Sequence, residues 1–445
     1  MISSKLHRDF RAAEARRRLV ASGTGSDLSL LQLRAVADRW SDAVTDIPYY
    51  SALVTAGKAP RVIGSWGDFQ AVPILTRQDI QNRPSEFLRR SSPPDSFMTT
   101  AGSTGTPLRI GVDQVSRELM RIVKLSAWMD FGYTPSSRLF LIWGHAHLLG
   151  TGWKGKFNHL KRKLADSVLG YQRVDAYRLD RELCLKHAER LLKFRPLGII
   201  GYASALDLFA RYTLQFRERF RALGLRFVLA TAEPMPSPET LARLEDLFGC
   251  PVVQEYGGAE FGQVAFKVGA TPFEVYSDLA YVECQESELD SPQAYPMLVT
   301  TLCPRYLPMF RYRVGDAIIG PERLSHGHVR RFAALAGRLN DEINLADGTS
   351  IHSVAIFHCI HQESSVLNIQ MLLKDDEIEI RLVSASPSDP SVETRIRKRL
   401  AQVHAQLGRA RITFVEDVQT NRAGKRRWFV DERTKPQPSA SERGE

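Results

Sequence analysis

Apolar residues recur at three- and four-residue spacings over residues 5–20 and 28–45, which predicts two helices. Residues 58–95 break into short pieces punctuated by Pro73, Pro84, Pro93 and Pro94. SFMTTAGSTGTPLRIGVD, residues 96–113, predicts strand, small-residue turn, strand, since Leu108 and Ile110 alternate after Pro107. A helix is expected over 114–132. Apolar runs then predict buried strands at 138–143, 196–202, 225–234 and 251–257, with helices near 203–222 and 237–248. This alternation argues for α/β layers. After residue 270 the pattern becomes β-rich, with strand-like segments separated by turns.

The character changes again at GRLNDEINLADG, a polar stretch that reads as a linker, with a domain boundary at 338–341. Beyond it, residues 350–362 predict a helix. VLNIQMLL and EIEIRLV alternate and are joined by KDD, which predicts a hairpin. A helix follows with Val392, Ile396, Leu400, Val403 and Leu407 on one stripe. RITFVE reads as the last strand, and residues 435–445 as a disordered tail. The expected fold is α/β, built of α+β layers. A large N-terminal domain of sheets and helices spans residues 1–339, and a small mobile α+β domain spans 340–434.

Composition narrows the class. Of 445 residues, 43% are apolar and 25% charged, which excludes a chain disordered through apolar poverty. The formal charge of +10 raises a nucleic-acid partner. Residues 394–427, however, hold ten Arg or Lys and two acids, so most of the excess is local. A solvated helix face explains that segment, and so does a surface facing an anionic ligand such as ATP or coenzyme A. No recognition motif or aromatic interleaving supports nucleic acid. The nearest cysteines, Cys284 and Cys303, are 19 positions apart and no CxxC occurs, which argues against a disulfide framework or zinc knuckle. No run of 18 apolar residues exists, so no membrane span is expected. The first twenty residues make a poor signal peptide. The expectation is a cytoplasmic monomer or homodimer.

The chemistry-bearing features come in a fixed order. TTAGSTGTP is a turn whose N–H groups and hydroxyls can surround phosphate oxygens, although it is not a Walker loop. AEP, residues 232–234, ends one strand and EYGGAE, 255–260, ends the next. RYRVGDA places Asp316 after a glycine, GRLND lies at the linker, and Gly424-Lys425 lies in the last loop. Taken singly, each has an ordinary reading. Tyr256 suits a core position, Asp316 a turn, Glu260 a helix start, and Lys425 a solvated site.

As an ordered series, these features resemble the adenylate-forming superfamily of acyl-CoA synthetases, aryl-CoA ligases and nonribosomal-peptide adenylation domains. The nearest likeness is to the phenylacetate–CoA ligase family and its CapK-like members, through AVPILTRQDIQNRPSEF, GSTGTP, TAEPM, QEYGGAE, FRYRVGD and AGRLNDEI. The resemblance covers about residues 60–430. It implies that Ser103, Thr104, Gly105 and Thr106 cradle the β- and γ-phosphates of ATP. Glu233 falls where the chain passes the adenine, and Tyr256 packs on the adenine face. Gly257 and Gly258 give close backbone for the substrate carboxylate. Glu260 holds Mg²⁺, Asp316 takes the ribose hydroxyls and Arg338 assists at ribose or phosphate. Lys425 reaches the substrate carboxylate and α-phosphate, and Asn340 is the hinge. His145 and Tyr202 fall in the acyl-pocket region, together with Trp143.

The implied activity is an ATP-dependent, AMP-forming carboxylate ligase. The acyl-adenylate passes to coenzyme A or, alternatively, to an amine or hydroxyl acceptor. A non-catalytic descendant of the fold is the competing class, and the intact Lys425, Glu260 and Asp316 argue against it. Two departures stand out. Many superfamily members have a lysine after the proline of the phosphate turn, whereas this chain has Leu108 and then Arg109. The segment before residue 60 is also too short for the complete N-terminal subdomain of long acyl-CoA synthetases.

Overall fold

A computed structural model describes residues 11–15, 17–20, 25–99, 108–143, 152–176, 179, 181–236, 238–286, 294–338, 342–344, 350–352, 356, 360, 363, 365–375, 377–384, 389–416, 418 and 429–433. The chain forms two compact units, residues 1–235 with 239–339 and residues 236–238 with 340–445.

In the large unit residues 11–15 and 17–20 are helical, and helices α1 (Gly25–Asp46), α2 (Pro48–Thr55), α3 (Trp66–Gln70) and α4 (Arg77–Asn82) follow. The last two are short and carry capping boxes, Ser65 with Asp68 and Thr76 with Asp79, which satisfy their first N–H groups. A hairpin follows, β1 (Ser96–Thr99) and β2 (Arg109–Val112), paired antiparallel from Ser96↔Val112 to Thr99↔Arg109. Next come α5 (Gln114–Met129), β3 (Leu139–Ile142), α6 (Gly152–Val168), β4 (Tyr171–Val174), α7 (Arg181–Phe194) and β5 (Gly198–Tyr202). Then follow α8 (Ala203–Tyr212), α9 (Arg217–Arg221), β6 (Phe227–Thr231), α10 (Pro238–Phe248) and β7 (Val252–Gly258). The antiparallel strands are β8 (Gly262–Val268), β9 (Phe273–Val275), β10 (Ala280–Cys284), β11 (Ala294–Thr301), β12 (Tyr312–Arg323) and β13 (Val329–Arg338).

One sheet of eleven strands runs β10-β11-β12-β13-β9-β8-β7-β6-β5-β3-β4. Strands β4, β3, β5, β6 and β7 are mutually parallel, and every pairing from β7–β8 onward is antiparallel. Strands β3 and β5 are buried at every position, as parallel strands covered on both faces must be. Leu191, Leu206, Phe209 and Leu247 pack on one face of the parallel half, and Ala127 and Trp128 of α5 on the other.

The N-terminal helices pack instead on the antiparallel half. Trp40 and Tyr50 meet Phe310 edge to face at 5.1 and 5.2 Å, and Trp66 stacks on Tyr281 at 4.5 Å. The Tyr50 hydroxyl donates to the Pro308 carbonyl at 2.8 Å. Leu75 pairs with β12, its N–H donating to the Arg311 carbonyl and its carbonyl accepting from Arg313 N–H.

In the small unit, β14 (Glu342–Asn344) pairs with β15 (Ser350–His352). A four-stranded sheet runs β18-β17-β16-β19, from β16 (Val366–Leu373), β17 (Ile378–Ser384), β18 (Arg411–Phe414) and β19 (Phe429–Asp431). Helix α11 (Pro390–Val403) buries Val392, Ile396 and Leu400 against it, and α12 (Ala405–Gly408) adds Leu407.

Several expectations need correction. The helix near 203–222 breaks at Thr213, whose hydroxyl bonds back to the Phe209 carbonyl at 2.7 Å. Residues 350–352, expected in a helix, form a strand because β14 offers them a partner, although Ile356 and Ile360 further along are helical. Helices α6 and α7 and strand β4 were not predicted. Among the described residues, no helix is long and apolar enough to cross a membrane.

Candidate functional site

In open α/β sheets, ligands bind outside the carboxyl ends of parallel strands. Here those ends carry Trp143 after β3, Tyr202 on β5, Ala232 and Glu233 after β6, and Tyr256 to Gly258 on β7. Strand β7 is also the last parallel strand before the sheet turns antiparallel. The pairing of β7 with β8 shifts register between Tyr256 and Gly257, and that of β12 with β13 shifts between Ala317 and Ile318. Such bulges bend a strand and re-aim its side chains. Between them the Tyr256 hydroxyl donates to Asp316 Oδ2 at 2.7 Å, joining residues four strands apart in the sheet. Gly315, at φ 84°, makes the backbone turn that precedes Asp316, a conformation other L-residues resist. Asp316 is the register partner of Arg338.

The turn after β7 is sterically closed. A Cβ on Gly257 would strike the Gly262 carbonyl, and one on Gly258 would enter the Phe261 ring. Both glycines are therefore required by the hairpin itself. Glu260, on that turn, pairs with Arg77 Nη1 at 3.3 Å. Arg305 Nη1 donates to the Glu260 carbonyl at 3.0 Å. Burial lowers the Arg305 pKa to about 10, so it remains a cation at neutral pH. Arg109 stacks on Phe97, its guanidinium carbon 4.6 Å from the ring centroid. Arg77 and Arg305 are the cations at Glu260, and sequence reading missed both. The single available signal was Arg77 within LTRQD.

At the end of β6, Ala232 adopts φ 70°, costly for a residue with a Cβ. The turn delivers Glu233 to the start of α8, where the Ser204 hydroxyl and N–H donate to Oε2 at 2.6 and 3.2 Å. Tyr202, buried, stacks on Trp143 at 4.3 Å. Lys124 of α5 lies 4.9 Å from the Trp128 ring centroid and 5.8 Å from that of Trp143. Trp128 Nε1 donates to the buried carboxylate of Glu255 at 3.0 Å. Burial raises the Glu255 pKa, opposed by Lys124 and by the bonds from Trp128 and Thr231. Glu255 and Tyr256 are successive residues on a strand, so they project to opposite faces. Nothing in QEYGGAE flags Glu255, because its partners lie far away in the chain.

No family model matches the chain. Protein CapK of Staphylococcus aureus is 21% identical over 427 residues, covering 91% of this chain and 90% of CapK. Among solved structures, 2-hydroxyisobutyryl-CoA ligase bound to an acyl-AMP superposes with a TM-score of 0.65 at 18% identity, covering 90% of this chain and 89% of that one. The chain is thus similar to CapK along most of its length and has the fold of 2-hydroxyisobutyryl-CoA ligase. The amide bond synthetase McbA from Marinactinospora thermotolerans shares the fold at a TM-score of 0.50 and 16% identity, over 74% of this chain and 67% of its own.

Further candidates lie outside the described residues. These are Ser103, Thr104, Gly105, Thr106, His145, Asn340 and Lys425. In the small unit, much of the basic segment is engaged locally. Arg395 makes a two-bond pair with Glu363 at 2.8 and 2.9 Å. Arg397 pairs with Glu393 at 2.6 Å and donates to the Gly408 and Ala410 carbonyls. Those guanidiniums are held by the unit's own fold.

Proposed function

We propose that the chain is an ATP-dependent, AMP-forming carboxylate ligase. The observation that carries this reading is the Tyr256–Asp316 contact, framed by one bulge at the carboxyl end of β7 and one between β12 and β13, with Glu260 four residues beyond Tyr256. Tyr256 offers a ring for a purine, and Asp316 offers carboxylate oxygens for ribose hydroxyls. Glu233, fixed by Ser204, shapes the chain beside them.

The substrate carboxylate attacks the α-phosphorus of ATP, and the bond to the β-phosphate oxygen breaks. This yields acyl-adenylate and pyrophosphate. Two anions must meet, so the chain's work is positioning and charge compensation. Magnesium, when bound, neutralises phosphate charge. It commonly uses only one or two protein carboxylates plus phosphate oxygens. Glu260 can supply one such carboxylate here. Its ion pair with Arg77 must then open, freeing that guanidinium for phosphate.

Ser103 to Thr106 belong to the phosphate turn in this reading, Gly258 and His145 to the acyl side, and Arg338 to the ribose. Residues 340–434 form the lid, with its hinge at Asn340, and bring Lys425 to the reacting carboxylate. The acyl group then passes to the coenzyme A thiol, or to an amine or hydroxyl. The ATP-bound MatB of Rhodopseudomonas palustris and 2-hydroxyisobutyryl-CoA ligase support ATP and the thiol acceptor. McbA supports the amine.

ATP–pyrophosphate exchange across a panel of carboxylic acids tests the reading, and absence of exchange with every acid overturns it. Lys425→Ala should abolish exchange while leaving transfer from preformed acyl-adenylate measurable.

A further inference from the structure

Helix α6 is amphipathic in the wrong direction for a globular protein. Its inner side is polar. Asp166 receives two bonds from Arg173 of the edge strand β4, both at 3.0 Å, and Arg162 on the same side is partly desolvated. Its outer side is apolar. Phe157, Leu160, Leu164 and Val168 are 52%, 55%, 59% and 85% exposed. Their spacings of three, four and four residues set them on one narrow stripe at 3.6 residues per turn. By the same geometry, Lys161 falls along one margin of the stripe and Lys163 along the other. Lys161 lies 4.6 Å from the Phe157 ring centroid. The helix carries five basic residues and one acid.

An apolar stripe left in water costs free energy, so its partner must supply apolar surface in the middle and negative charge on both sides. A second copy of the helix fails this requirement, because stripe-to-stripe pairing would oppose lysine margins to lysine margins. An anionic bilayer meets it. Phe and Leu side chains enter the acyl boundary while lysines reach the headgroups. We propose that α6 is an interfacial helix that seats the protein on an anionic lipid surface. The proposal does not depend on the ligase reading.

Co-sedimentation of the full chain tests it, with phosphatidylcholine vesicles and with phosphatidylcholine–phosphatidylglycerol vesicles. The expected result is binding to the mixed vesicles only, weakening as salt is added. Leu160→Glu with Leu164→Glu should abolish binding. Lys161→Glu with Lys163→Glu should weaken it by about tenfold or more, at roughly 1 kcal/mol for each basic residue removed from the surface. These side chains are exposed, and an unchanged melting temperature confirms that the variants fold. Leu214→Glu, an exposed leucine elsewhere, should bind like the unmodified chain. The idea is overturned by absence of binding, by equal binding to neutral vesicles, or by equal loss in Leu214→Glu. It is also overturned if the unmodified chain forms a dimer in solution that Leu164→Glu dissolves.

Discussion

The eleven-stranded sheet has two unlike halves. In the parallel half, strands of four to seven residues are enclosed by helices on both faces. In the antiparallel half, strands reach twelve residues and carry bulges. The parallel half is a rigid floor whose strand ends all point to one rim. In the antiparallel half, the bulge beside Asp316 bends the strand and aims this side chain at Tyr256. The candidate site stands at the join of the two halves.

The largest test of this contrast is a core truncation on each side. Phe140→Ala on β3, a fully buried position, should cost about 3–5 kcal/mol in urea unfolding. Tyr295→Ala on β11, half-exposed, should cost well under half of that. Comparable losses would erase the distinction. Next is Asp316→Asn, which keeps a partner for Tyr256 but removes the charge. Exchange activity should fall about 10–100-fold, the worth of a hydrogen bond to a charged group. Unchanged activity would remove Asp316 from the site.

A third test probes the floor itself. Burial raises the Glu255 pKa, so the folded chain keeps this proton to higher pH than the unfolded chain. The stability it confers is present below the ordinary carboxylate pKa and is lost as pH rises through the folded value. Glu255→Gln should therefore gain in melting temperature over the unmodified chain as pH climbs from the usual Glu range toward neutral. A constant difference would show that Glu255 is not desolvated. The smallest effect belongs to Ala232→Gly, which should stabilise by about 0.5 kcal/mol, relief of left-handed strain less the added chain entropy. A loss of stability there would mean that the methyl group packs.

The floor was the more legible half. Strands β3, β5, β6 and β7 show as apolar runs because both faces are covered. Helix α6 went unseen although Phe157, Leu160, Leu164 and Val168 recur at helical spacing, since Gly152, Gly155 and the run of lysines obscure the pattern. The motifs for Tyr256, Glu260 and Asp316 stood out through their small neighbours, which closed turns demand. The bond from Trp128 to Glu255 spans 127 positions, and no local pattern encodes it. The left-handed turn at Ala232 was equally silent, since alanine ordinarily signals helix.

The packing of the N-terminal helices against residues 281–310 has a consequence for synthesis. Trp40, Tyr50 and Phe69 leave the ribosome early, yet the rings that cover them, Tyr281 and Phe310, emerge more than two hundred residues later. At about 5–20 residues per second, that interval is roughly 10–55 s. During it the parallel floor can assemble while the first segment waits with its aromatic residues uncovered. The earlier-made of these two segments is thus buried only once the later one has emerged.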